Sequence, residues 1–78
     1  MSDSVVEKRM TAVAVGFGKR MRARRERLVM SQGELARDLR ISRQAVGQIE
    51  EGAKITIGRA VLIAEALGVK VGQLVRAV

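Results

Sequence analysis

The sequence predicts an all-α fold: a compact bundle of five short helices behind an N-terminal extension, which adds a sixth helix if it folds separately. Three observations carry this reading. Apolar residues recur at three- and four-residue spacing along most of the chain. Good N-cap residues (Ser31, Ser42 and Thr56) stand immediately before such stretches. Pro is absent and Phe17 is the only aromatic residue, which leaves strands poorly supported.

The elements follow in order. Residues 1–16 form the extension, where Ser4 and Glu7 have capping-box spacing and Val6, Met10, Val13 and Phe17 share a helical face. Gly16 and Gly18 are expected to break that helix. The domain proper is expected over 17–78. Its first helix runs from about Phe17 to Leu28, with Phe17, Met21 and Leu28 on one face, which Arg25 shares. Ser31, with Glu34 three residues on, opens a second helix through about Leu39. Ser42 opens a third, with Ala45, Val46 and Ile49 inward, and Gly52 suits the left-handed residue past its end. Thr56 opens a fourth from about Ile57 to Leu67, apolar at Ile57, Ala60, Val61, Ile63, Ala64 and Leu67 and closed by Gly68. A last short helix spans about Val71 to Ala77, with Leu74 and Val75 inward.

Charge narrows the function classes. The chain has 78 residues, 15 Lys and Arg against 8 Asp and Glu, and a net charge of +7. The excess is local. Residues 1–15 are neutral, 16–43 carry +6 and 44–78 carry +1. The run Lys19-Arg20-Met21-Arg22-Ala23-Arg24-Arg25-Glu26-Arg27 favours a polyanionic partner, and arginine's planar fork suits phosphate. With neither His nor Cys, the usual zinc, haem, thiol and imidazole chemistries are excluded, and no metal, cofactor or enzyme activity is expected. No apolar stretch approaches the roughly 20 residues of a membrane span, and a cytoplasmic protein is expected.

Ser31 to Gly52 is the informative stretch. Two helices of about eight residues joined by so short a turn cross steeply, as in a helix-turn-helix. The segments Met30-Ser-Gln-Gly-Glu-Leu-Ala-Arg-Asp-Leu39, Ile41-Ser-Arg-Gln-Ala-Val-Gly-Gln-Ile-Glu-Glu-Gly52 and Ile63-Ala-Glu-Ala-Leu-Gly-Val69, with Leu74, occur in order. Together they resemble the lambda-repressor-like, Cro/C1-type (XRE family) DNA-binding domain over about residues 17 to 76.

The resemblance implies a sequence-specific, dimeric transcriptional regulator, a repressor on a palindromic operator, with a recognition helix over about 42–50. Arg43, Gln44 and Gln48 are then expected at base edges, where Gln pairs with adenine and Arg with guanine. Ser31 and Gln32, at the start of the first motif helix, are expected to meet phosphate, as are Lys54, Arg20 and Arg24. Arg25 and Glu50 fall where family members pair an Arg with a Glu, and an ion pair is expected there. Val29 and Arg40 stand where the family commonly has Gly, at turn positions that often need a positive φ. Gly47, inside the recognition helix, costs about 1 kcal/mol relative to Ala. Its two readings, close approach to DNA and tolerated weakness, stand level.

A domain of this kind reads only a half-site, so a homodimer is expected. Its surface is assigned to Ile55, Val69, Val71, Val75 and Val78, with the stripe Val5, Val6, Met10 and Val13 as a second candidate. The rival class is an interaction module such as an antitoxin, whose apolar surface binds a toxin and whose DNA binding is secondary. A membrane-surface helix over Arg20–Arg27 is disfavoured by its lack of a bulky apolar face.

Overall fold

A computed structural model describes residues 2–76. Among the described residues there are four α-helices, α1 (Asp3–Arg27), α2 (Gln32–Leu39), α3 (Arg43–Glu50) and α4 (Ile57–Leu67), followed by a single 3-10 turn at Val71–Gln73. No strand occurs among the described residues. The expected five or six helices are thus corrected to four, and the difference lies at the two ends.

At the N-terminus, the extension and the first helix are one 25-residue helix that passes unbroken through Gly16 and Gly18. It starts earlier than the Ser4 signal indicates, with the Ser2 hydroxyl accepting from the Val5 N–H. Each interior glycine costs only about 1 kcal/mol, which packing offsets. At the C-terminus, Gly72 and the absence of a side-chain cap at Lys70 leave a 3-10 turn in place of the last helix.

The start signals of α2, α3 and α4 act as the sequence indicates. Ser31, Ser42 and Thr56 each accept from the backbone N–H three residues on, and Ser31 and Glu34 complete a reciprocal capping box. All four helices stop in the same way. A left-handed residue (Val29, Arg40, Gly52 or Gly68) follows the last turn. The next N–H reaches back five residues, as from Met30 to Arg25 and from Ile41 to Ala36. Two of the four left-handed residues are therefore not glycine, and one is β-branched.

The core comprises Phe17, Met21, Leu35, Ala36, Val46, Ile49, Ala60, Ile63, Ala64, Leu67 and Leu74. Four expected inward residues are exposed instead: Leu28, Ile57, Val61 and Val75. Leu28 falls at the C-cap of α1 and Ile57 on the first turn of α4, where the chain is still turning. Ile57 is 85% exposed.

Gly18 fixes how α1 meets α3. A Cβ placed there would lie 2.7 Å from the Glu50 carbonyl oxygen, and closer still to that of Ile49. Only a hydrogen fits, so α1 rests directly on the backbone at the end of α3.

Candidate nucleic-acid interface

The motif α2–turn–α3 leaves one face of α3 open. Val46, Ile49 and Glu50 are buried, whereas Arg43, Gln44 and Gln48 are exposed. This division follows from the helical period, which turns Val46, Ile49 and Glu50 inward together. Gln32, Arg43, Gln44, Gly47, Gln48 and Glu51 surround a shallow depression on this face. The three expected base-reading residues and Gln32 are thus brought together. Gly47 forms its floor, where a Cβ would come no closer than 3.7 Å to the Gln32 side chain. The fold itself therefore does not require glycine at this position.

Glu51 was missing from the expected set. It lies seven residues after Gln44 and four after Gly47, a helical spacing that places it on the same face. A carboxylate there can accept from a cytosine amine and repels a nearby phosphate.

Behind the open face, the Glu50 carboxylate joins three helices. Arg25 of α1 donates from Nε (2.7 Å) and Nη2 (3.0 Å), and Gln32 of α2 donates from Nε2 (3.1 Å). Arg25 also donates from Nη1 to the Met30 carbonyl at 2.8 Å, tying down the turn after α1. The hydrogen bond to Glu50 raises the Arg25 pKa above its ordinary value, so the guanidinium stays charged. The pair is buried and every buried polar side-chain atom among the described residues is hydrogen-bonded, the condition under which a buried ion pair is sustainable.

At the start of α2, the Ser31 N–H donates to the Glu34 carboxylate at 2.9 Å, and the Glu34 N–H donates back to Ser31 Oγ at 3.0 Å. The Ser31 backbone N–H, and after it the Ser31 hydroxyl, holds the Glu34 carboxyl below the ordinary glutamate pKa. The N–H groups of Gln32 and Gly33 remain as the first-turn donors that a helix leaves unpaired.

Like Gln32 and Ser31, the other three residues expected at phosphate have partners within the chain. Arg24 Nε donates to the Leu67 carbonyl at 2.9 Å, capping the C-terminus of α4. Arg20 Nε donates to the Leu74 carbonyl at 2.8 Å, closing the 3-10 turn. Cations are favoured at such carbonyl-rich ends. The Lys54 ammonium pairs with Glu7 at 2.8 Å, which lowers the Glu7 pKa, and so connects the loop before α4 to the first half of α1. These contacts give Arg20, Arg24 and Lys54 a part in holding the fold.

Of the residues assigned to a dimer surface, Val71 and Val75 are exposed, Ile55 and Val69 are half-buried against the core, and Val78 lies outside the described residues. No helix among the described residues is long and apolar enough to cross a membrane.

The Helix-turn-helix family model matches residues 21–74. Among solved structures, the restriction-modification controller protein C.AhdI from Aeromonas hydrophila is 31% identical with a TM-score of 0.75, the match covering 81% of this chain and 97% of that one. Hydroxypropylphosphonic acid epoxidase from S. wedmorenis is 29% identical with a TM-score of 0.78, covering 85% of this chain but 36% of that one. FeII HppE gives 29% and 0.78, with 82% and 35% covered. The chain thus spans about a third of the length of these two structures. No curated protein matches it.

Proposed function

The chain belongs to the helix-turn-helix family of the Cro/C1 type, and from this premise we propose that it is a DNA-binding transcriptional regulator and not an enzyme, repressing transcription as a homodimer on a palindromic operator. The observation that carries the proposal is the open face of α3, where Arg43, Gln44 and Gln48 stand exposed around the floor at Gly47. In the major groove, Gln44 and Gln48 pair with adenine and Arg43 with guanine or a phosphate, each good pair discriminating by about 1–3 kcal/mol. The first turn of α2, with Gln32, the Gln32 and Gly33 N–H groups and the Ser31 hydroxyl, positions the backbone.

Each domain reads a half-site, and two copies joined through Ile55, Val69, Val71 and Val75 read two, about one helical turn apart. The likeness to C.AhdI, a restriction-modification controller protein, favours a regulator acting in the cytoplasm on a promoter.

Footprinting on the DNA upstream of its own gene tests this. Protection of two half-sites about one turn apart is expected, lost at defined bases in Gln44→Ala and Gln48→Ala. Weakening that is uniform over all sequences would reassign these residues to the backbone.

A further inference from the structure

The first half of α1 is buried against no other helix, and the exposed Glu7–Lys54 pair ties it to the loop before α4. Residues 2–11 are all exposed, and a short unsupported helical stretch is marginal in water. Yet it carries an apolar ridge. Val6 is 41% and Met10 50% exposed, and they lead at helical spacing into half-buried Val13 and buried Phe17. Beside the ridge lies an open apolar groove of about 370 Å³, formed by Met10, Val13 and Phe17 of α1 with Ile55, Ile57 and Val75. Ile57 projects at its edge almost fully exposed.

The rim charges indicate the occupant. Arg9 and Lys54 line the groove, and because Lys54 is paired with Glu7 of the same chain, Arg9 is the rim cation placed to receive an acidic group. A matching occupant is a helix with an apolar stripe and an acidic neighbour. The first half of α1 has this chemistry, with Val6 and Met10 on the stripe and Asp3 near them. The segment 1–15 is also neutral in a chain of net charge +7, so two copies can bring it together without the repulsion that residues 16–43 would impose. Ridge and groove adjoin on one surface, as the self-complementary patch of a two-fold dimer requires. That surface is continuous, through Ile55 and Val75, with the C-terminal face proposed above.

We propose that the first half of α1 of a second copy seats in this groove, Val6 and Met10 entering it and Asp3 facing Arg9, reciprocally across a two-fold axis. The proposal rests on the homodimer reading and specifies its contact.

The test uses Val6→Asp, which alters only the ridge, and Ile57→Asp, which alters only the groove edge. Both sites are exposed, so helicity by circular dichroism is expected to persist. Leu62→Asp, on an exposed part of α4 outside the groove, is the control. Sedimentation is expected to show self-association weakened at least about tenfold in the first two, roughly 1.4 kcal/mol, and unchanged in the control. Because the chain has no Cys, mixed Val6→Cys and Ile57→Cys proteins are expected to form a 6–57 cross-link with a short bis-maleimide. If the wild type is dimeric but both Asp variants associate as tightly, or no 6–57 cross-link forms, this seat is overturned and the homodimer reading survives on another surface. If the wild type stays monomeric at every concentration, both fall, and the groove is left to a foreign helix such as that of a toxin. If the Asp variants lose helicity, the cross-link decides.

Discussion

Arg25 of α1 holds Glu50 of α3 in a two-point ion pair, 2.7 Å from Nε to Oε2 and 3.0 Å from Nη2 to Oε1, with both residues buried. Gln32, on the open face, donates to the same Oε1. One carboxylate therefore supports both the packing of α1 on α3 and the placement of a surface amide.

Glu50→Ala leaves a buried guanidinium unpaired and is expected to cost about 3–5 kcal/mol, together with loss of operator affinity. The double variant Arg25→Met with Glu50→Leu separates the two effects. It is expected to recover much of the stability, since an apolar pair can replace a buried ion pair, but not the affinity, because Gln32 has lost its acceptor. Thermal melts and operator titrations on the same samples check both parts. Unchanged stability in Glu50→Ala would refute the structural role of the pair.

The two interior glycines of α1 and α3 that face other elements are expected to respond oppositely. Gly18→Ala drives a methyl into the Ile49 and Glu50 carbonyls and is expected to destabilise by about 1–3 kcal/mol. Gly47→Ala meets only the Gln32 side chain at ordinary contact distance, and is expected to stabilise by up to about 1 kcal/mol through helix propensity. Urea midpoints measure both.

The sequence reading separates along the same line. Signals that act within one turn of chain are legible, as in the caps at Ser31, Ser42 and Thr56, whereas the positive φ at Val29 and Arg40 is indicated only by family likeness, since neither residue type marks such a turn. Gly18 was misread as a helix breaker because its purpose is a contact with backbone more than 30 residues away, and a glycine carries no mark of what approaches it. The arginine run has two readings for a similar reason. A guanidinium suits a phosphate and a helix-end carbonyl equally well, and only the fold shows that Leu67 and Leu74 present such carbonyls to Arg24 and Arg20. The Arg25–Glu50 placement came from family likeness, since no local pattern links positions 25 residues apart.

Val29 sits at φ 55 with its side chain 90% exposed, so it bears left-handed strain without compensating burial. Val29→Gly is expected to raise stability by about 1 kcal/mol, the relief of strain outweighing the added freedom of the unfolded chain. Arg40→Gly, at φ 57, is expected to gain less, because Arg is not β-branched. Equilibrium unfolding of the two variants, compared with wild type, checks the order.

Arg24→Met removes the cap on α4 and is expected to lower stability by about 1 kcal/mol while leaving operator affinity nearly unchanged. Arg43→Met is expected to do the reverse. If Arg24→Met weakens DNA binding as much as Arg43→Met does, Arg24 belongs at phosphate after all.

Glu34 is held deprotonated by the Ser31 backbone and hydroxyl, so its folded pKa lies below its unfolded value. Such a group stabilises above the unfolded pKa, and its contribution is lost as pH falls through the folded one. Acidification through the carboxylate range is therefore expected to lower the urea midpoint, and less so in Glu34→Gln, whose side chain does not titrate.

The arginine carbonyl contacts also bear on how the molecule competes with salt for a polyanion. Binding that neutralises phosphates releases condensed counterions, and the number released sets how steeply affinity falls with ionic strength. Arg20 and Arg24 are directed at helix ends, Arg25 is matched by Glu50, and Arg22 stands beside Glu26. The salt slope therefore follows the phosphates met by the cations outside these contacts, and the density of the run over residues 19–27 is a poor guide to it.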